Sequence, residues 1–149
     1  MLLQRVSQAS VEVDGRVVGE IGSGVLLLVG VREGDTAEEA EFLARKVANL
    51  RIFEDEQRKM NVSLLEREQP AALVVSQFTL YGDARKGRRP SFIQAAAPAL
   101  ARRLIDDLAG RLRELGVHTE AGEFGAHMMV SLVNDGPVTI WLDSSELAR

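Results

Sequence analysis

The chain has 149 residues, a formal net charge of −4 and no cysteine. That length buries a full core without disulfides or a structural metal, and the lack of cysteine removes thiolate nucleophiles, cysteine-containing zinc sites and redox motifs. The acidic balance argues against a non-specific binder of DNA or RNA, whose affinity needs many Lys and Arg against phosphate.

No apolar run approaches the roughly 18 residues that span a bilayer, and no charged segment followed by an apolar one opens the chain. The expectation is a cytoplasmic protein of one domain, residues 1–149, with a polar tail from Asp143 to Arg149. Leu2 to Val13 and Arg16 to Ile21 have strand character and are joined by Asp14-Gly15, a hairpin signal because a type I′ turn needs positive φ at both central positions. Gly24 to Val31 is a continuous apolar run of buried-strand length. Thr36 and Glu39 then form a capping-box pattern. Ala40, Leu43, Val47 and Leu50 follow at helical spacing, so a helix is predicted to about Asn49 or Leu50.

Asp55 to Asn61 reads as a polar turn and Ala72 to Thr79 as the next strand. Pro98 opens a second helix with Leu100, Leu104, Leu108, Leu112 and Leu115 on its apolar stripe, and Gly116 stops it. Val117–Ala121, Met128–Val133 and Val138–Leu142 complete the strands. Strands outnumber helices and are grouped rather than alternating, which predicts an α+β fold of mostly antiparallel sheets with two main helices.

Familiar catalytic templates fail. His118 and His127 are the only histidines, and neither belongs to a nucleophile elbow or to a metal-ligand spacing such as HExxH, so no Ser-His-Asp triad is available and both are expected to be structural or exposed. Glu38-Glu39 and Asp106-Asp107 fall on predicted helix surfaces, where solvation explains them. The Gly19 to Gly24 stretch has neither a Walker ending nor GxGxxG order. Two segments remain. Ser76-Gln77-Phe78-Thr79-Leu80 ends a buried strand in hydroxyl, amide and backbone donors. Asn134-Asp135-Gly136-Pro137-Val138-Thr139 puts glycine and proline between two apolar runs, where residues alone read as a tight turn and where X-Pro makes a cis bond accessible. A third feature is the basic cluster Arg85-Lys86-Gly87-Arg88-Arg89 just after the first segment. A solvated loop and a local phosphate contact are both open for it.

Together SQFTL and NDGPVT resemble the two signature motifs of the D-aminoacyl-tRNA deacylase family, enzymes that hydrolyse D-amino acids from mischarged tRNA. The likeness extends through Gln4-Arg5-Val6 with Ala9 and Val11, Arg51-Ile52-Phe53, Lys59-Met60-Asn61 and Arg89-Pro90-Ser91-Phe92, and so covers the chain to about Leu142. It implies the family's fold and places the catalytic residues at Ser76, Gln77, Phe78 and Thr79, with the backbone amides of Phe78 and Thr79 as oxyanion donors. Thr79 as a nucleophile is the alternative, although a hydroxyl without a neighbouring base is weak. The ribose hydroxyl vicinal to the ester would then assist an attacking water.

By the same resemblance Gly136 and Pro137 form a chiral filter through a cis bond, oriented by Arg5, with Asn134 and Ala96 as further substrate-binding residues. Ala96 is the match for the residue whose carbonyl meets the substrate amino group. A filter made of backbone accepts many side chains and does not exclude glycine, so glycyl-tRNA is an expected second substrate. The implied partners are the 3′ end of aminoacyl-tRNA and a second copy of the chain, each subunit of a homodimer inserting its Gly-Pro into the other's pocket. No cofactor, metal, DNA or membrane partner is expected, and Arg85, Lys86, Arg88 and Arg89 are the candidate tRNA contacts. Two competing readings are an editing domain of the same fold that removes L-serine, which the Gly-Pro of NDGPVT opposes, and a binding module without turnover.

Overall fold

A computed structural model describes residues 1–149. The elements run β1 (Leu2–Val13), β2 (Arg16–Ile21), β3 (Gly24–Val29), α1 (Ala37–Asn49), β4 (Phe53–Glu54), β5 (Met60–Val62), β6 (Ala71–Ser76), α2 (Pro98–Glu114), β7 (His118–Ala121) and β8 (Met129–Trp141). The class is α+β with two helices. Local signals act where the residues place them. Asp14 and Gly15 take φ of 50° and 76° in the β1–β2 hairpin. The Thr36 hydroxyl accepts from the Glu38 amide at 3.2 Å while Glu39 accepts from the Thr36 amide at 2.7 Å, completing the capping box of α1. Those bonds from Thr36 hold the Glu39 carboxyl down at about 2. Pro98 is the first residue of α2, and Gly116, at φ 95°, donates to Arg113 at its end.

β1 organises the sheet. One of its edges pairs β3 through Leu2–Val6 and β2 through Ala9–Val13, all antiparallel, while the other edge pairs β8 along nearly its whole length. Beyond β3 the strands are parallel: Val25–Val29 against Ala72–Ser76, and Ala71–Val74 against His118–Ala121. The sheet is therefore mixed, while antiparallel pairings stay in the majority, as expected. Helix α1 lies between β3 and β6, and α2 between β6 and β7, so strand and helix do alternate there. The short β4–β5 hairpin, inserted before β6, hides that alternation in the sequence.

Burial on both faces accounts for the apolar runs of β3 and β6, since a parallel strand covered on each side has no polar face to alternate with. Val25, Leu27, Val29, Ala72 and Val74 face the helices, packing with Ala44, Val47, Leu104, Leu108 and Leu112 in the larger core cluster. Leu26, Leu73 and Val75 face the other way, into a smaller cluster with Val6, Ala9, Val11 and Ile21. Each Val, Leu or Ile among them contributes roughly 1.5–3 kcal/mol by burial. Gly19 allows the sheet to fold over on itself, because a Cβ there would lie 2.5 Å from the Ala121 carbonyl.

Two expected strand limits are corrected. β6 ends at Ser76, not Thr79: the Gln77 amide still donates to Val29 at 2.8 Å, but Phe78–Tyr81 then wind into a 3₁₀ turn closed by bonds from Leu80 to Gln77 and from Gly82 to Thr79. The turn expected at 134–139 is instead part of one strand, β8, which runs through glycine and proline. Its partner β1 absorbs the irregularity in register shifts between Gln4 and Val6 and between Val6 and Gln8.

Candidate active site

At the C-terminal end of β6 a cavity of ≈ 520 Å³ is lined mainly by apolar groups, among them Val31, Phe78, Phe92, Ala96, Ile105 and Phe124. Three of the four expected catalytic residues, Ser76, Gln77 and Phe78, line it, and so does Ala96. Thr79 is exposed on the following turn, where its hydroxyl accepts a short hydrogen bond from Gln77 Nε2. Because a 3₁₀ turn leaves its first N–H groups without intrahelical partners, the amides of Phe78 and Thr79 have no acceptor in the protein. The Phe78 ring, 57% exposed, packs edge-on to Phe92 with centroids 5.1 Å apart. Ala96 is fixed by its N–H to Val31 O at 2.9 Å, and its own carbonyl meets no protein donor.

The remaining predicted residues form a second cluster. Asn134 replaces the ladder bond that proline cannot make: its Nδ2 donates to Arg5 O at 2.9 Å and to Val138 O at 3.0 Å, and its Oδ1 accepts from Thr139 Oγ1 at 3.1 Å. The Gly136-Pro137 bond is cis, Gly136 has φ 114°, and both residues are exposed. Arg5 is 5% exposed and acts from beneath, with Nη1 donating to Ile52 O at 2.6 Å and Nε to Asp135 O at 3.2 Å; the Asp135 carboxylate lies 3.3 Å from the same Nε.

These two clusters do not meet within one chain. Arg5, which pairs with Val25 and through it with Ala72, sits four residues along the sheet from Ser76, and β8 is separated from β6 by β1 and β3. At about 3.3 Å per residue and 4.8 Å per strand, the glycine-proline backbone and the Phe78 turn are roughly 20 Å apart. β8, the strand carrying Gly136-Pro137, also exposes large apolar side chains: Met129, Leu132, Val133 and Trp141.

The basic cluster divides. Arg85 is held by Asp83 through two side-chain bonds of 2.8 and 2.7 Å, which with the Arg85 amide keep the Asp83 carboxyl at about 2. Lys86, Arg88 and Arg89 are exposed and form no ion pair. Their loop is pinned at its base by reciprocal backbone bonds between Asp83 and Ser91, one residue before Phe92 at the cavity. Residues that sequence reasoning missed are Phe124 and Gly125, which close the far wall of the cavity, and Ile52, whose carbonyl anchors Arg5. Only the glycine spacing of Gly122-Glu123-Phe124-Gly125, a loop signal, marks the former; nothing marks a backbone carbonyl.

The fold and site define an α+β protein whose apolar cavity is edged by main-chain donors and which has no nucleophile–base pair. A profile of the D-Tyr-tRNA(Tyr) deacylase family matches residues 2–143, and the chain belongs to that family. Similar curated proteins include the D-aminoacyl-tRNA deacylase of Thermomicrobium roseum, 69% identical over 147 residues with 99% of this chain and 95% of the relative covered. That of Roseiflexus castenholzii is 59% identical, with 97% and 91% covered. Among solved structures, one described as c-Myc DNA Unwinding Element Binding Protein is 39% identical with a TM-score of 0.87, covering 95% of this chain and 96% of its own. Another, described as "a probable eukaryotic D-amino acid tRNA deacylase", is 21% identical with a TM-score of 0.80 over 93% and 95%, a likeness of fold alone.

Proposed function

We propose that this protein is a D-aminoacyl-tRNA deacylase, a hydrolase that cleaves the ester between a D-amino acid and the terminal ribose of tRNA and releases both. The family match over residues 2–143 carries the activity. The two unpaired amides at the rim of the cavity support a route for it. Water attacks the ester carbonyl, and the charge that develops on oxygen is taken by the Phe78 and Thr79 N–H groups, where one such donor contributes roughly 3–4 kcal/mol. No side chain near the turn offers a base. The vicinal ribose hydroxyl of the substrate instead orients the attacking water and relays its proton to the departing ribose oxygen as the ester bond breaks, leaving the free D-amino acid and the tRNA.

In this reading Gly136 and Pro137 are the chiral filter, with backbone meeting the α-carbon so that an L side chain clashes and a D side chain points away. Arg5 and Asn134 hold that backbone, and the Ala96 carbonyl receives the substrate amino group. Glycine carries no side chain to reject, so glycyl-tRNA mischarged on another tRNA is a second substrate. The filter and the oxyanion turn are too far apart in one chain to share a substrate, and the exposed apolar face of β8 needs cover. Both favour a two-fold homodimer in which each subunit's Gly136-Pro137 enters the other's cavity. Lys86, Arg88 and Arg89 contact phosphates of the RNA 3′ end, while Arg85, neutralised by Asp83, stiffens their loop. The protein works in the cytoplasm, as one domain.

The test is catalytic turnover. With D-tyrosyl-tRNA in large excess, free D-tyrosine should accumulate well beyond one equivalent per site. Release that stops at or below one equivalent would make this a binding module.

A further inference from the structure

The wall of the apolar cavity continues outward through one cation. Pro98, Ala101 and Ile105 line the cavity from the first turns of α2, and Phe124 joins them from the loop after β7. Arg102 follows Pro98 by four residues and precedes Ile105 by three, which sets it at the edge of that same helix face. It is exposed, and its Cζ lies 4.8 Å from the centroid of the Phe124 ring. Carboxylates stood within reach in the sequence. Asp106 follows one helical turn later and Glu123 adjoins Phe124, yet Arg102 forms no ion pair, whereas the helix arginines Arg45 and Arg111 are taken up by Glu41 at 2.7 Å and Glu114 at 2.8 Å. The guanidinium therefore rests on a cavity-lining ring with its charge claimed by no acidic side chain.

A substrate in this cavity brings its own anion to that edge. With the ester carbonyl at the Phe78 and Thr79 amides, the first charged group that the RNA carries beyond its terminal nucleoside is a phosphodiester. Proteins hold single-stranded RNA with aromatic faces and arginine together, and the planar fork of a guanidinium matches phosphate oxygens through two parallel hydrogen bonds. Stacking on Phe124 restricts the arginine before the RNA arrives, so less side-chain freedom is lost on binding. We propose that Arg102 is a substrate-binding residue for the RNA backbone: seated on Phe124, its guanidinium takes the phosphate that joins the terminal nucleotide to the one before it. This rests on the deacylase reading of the cavity. Lys86, Arg88 and Arg89 rise from a separate loop rooted beside Phe92, and direct contact with a ring of the cavity wall distinguishes Arg102 from them.

The experiment measures steady-state kinetics of the full chain on three D-tyrosyl esters: of adenosine, which carries no phosphate; of a dinucleotide ending in adenosine, which carries only the linking phosphate; and of tRNA. Arg102→Met keeps a long side chain over the Phe124 ring and removes the charge. Arg102→Lys keeps the charge and removes the fork. Thermal unfolding checks that both variants fold. Arg102→Met should raise KM about fivefold for the dinucleotide and tRNA esters, the order of one solvent-exposed ion pair. For the adenosine ester KM should stay within about twofold. The slope of log KM against log salt for tRNA should flatten by about 0.7, one single-strand phosphate contact. Arg102→Lys should recover part of the loss. An equal rise in KM on all three esters would make Arg102 a support of the cavity wall and overturn the inference, and so would an unchanged KM and salt slope with tRNA. If the unaltered protein hydrolyses none of the esters, the deacylase reading itself fails; if it hydrolyses them and Arg102→Met behaves identically, only the role of Arg102 fails.

Discussion

Gly136→Ala perturbs the smallest number of atoms at the most constrained point of the proposed filter. A Cβ added there would lie 2.7 Å from Arg5 Nη2, 3.0 Å from Val138 Cγ2 and 3.1 Å from Val138 N. The arginine tip cannot simply swing away, because the side chain is buried and its Nη1 is committed to Ile52 O. Val138 contributes a backbone atom and a stiff branched side chain. The φ of 114° adds strain for any residue with a Cβ, of the order of 1–3 kcal/mol. Strain and crowding together should cost about 2–3 kcal/mol of stability, lowering the melting temperature by about 5–10 °C for a chain of this size. Any relief displaces the backbone that must meet the substrate, and a displacement near 1 Å is worth up to about a hundredfold in rate. Urea unfolding and kcat/KM on D-tyrosyl-tRNA measure the two effects separately. A variant as stable as the parent, with undiminished D-turnover and L-substrates still rejected, would refute the assignment of Gly136.

Thr79→Ala should lose less activity than Phe78→Pro, which deletes an amide donor; complete loss in a Thr79→Ala protein with an unaltered circular dichroism spectrum would return the hydroxyl to the role of nucleophile. A D-tyrosyl-tRNA whose terminal adenosine lacks the vicinal hydroxyl should bind yet react at least about a hundredfold more slowly, in line with loss of a positioned proton-transfer group, and equal rates would dismiss substrate assistance. Replacing Lys86, Arg88 and Arg89 together by alanine should raise KM for tRNA and flatten its dependence on salt, with Arg85→Ala showing the smaller salt effect; identical salt slopes would remove the loop from the RNA interface. The folded Glu39 carboxyl sits near 2, below its unfolded value of 4.5, so its stabilising share is fully present above pH 4.5 and lost as pH falls toward 2. The stability gap between the parent and Glu39→Gln should therefore close over that window, and a gap independent of pH would contradict the capping-box account.

Local chemistry was the most legible part of the sequence. The Asp14-Gly15 turn, the Thr36 cap, Pro98 and Gly116 each act through their own backbone, so the residue announces the structure. The mixed sheet was obscured because parallel pairing depends on crossover helices whose rhythm the β4–β5 insertion interrupts. β8 was misread at its middle because proline and glycine break an isolated strand, whereas here Asn134 and the long edge of β1 supply the missing hydrogen bonds. At the candidate site, Phe78 and Ala96 sharing one cavity, with Gly136 far from both, is a matter of strand order and register, which no single segment encodes.

That the active site is shared between two subunits is the claim on which the rest of the mechanism depends. The direct test is a mixed dimer, one subunit carrying Phe78→Pro and the other Gly136→Leu, co-expressed with different tags and purified through both. If each cavity is completed by the other subunit's Gly-Pro, one of the two sites pairs an intact oxyanion turn with an intact filter, and D-specific turnover should return to about half that of the parent dimer. A mixed dimer as inactive as either altered homodimer would contradict the account, since it would mean that each chain uses its own Gly136 and Pro137.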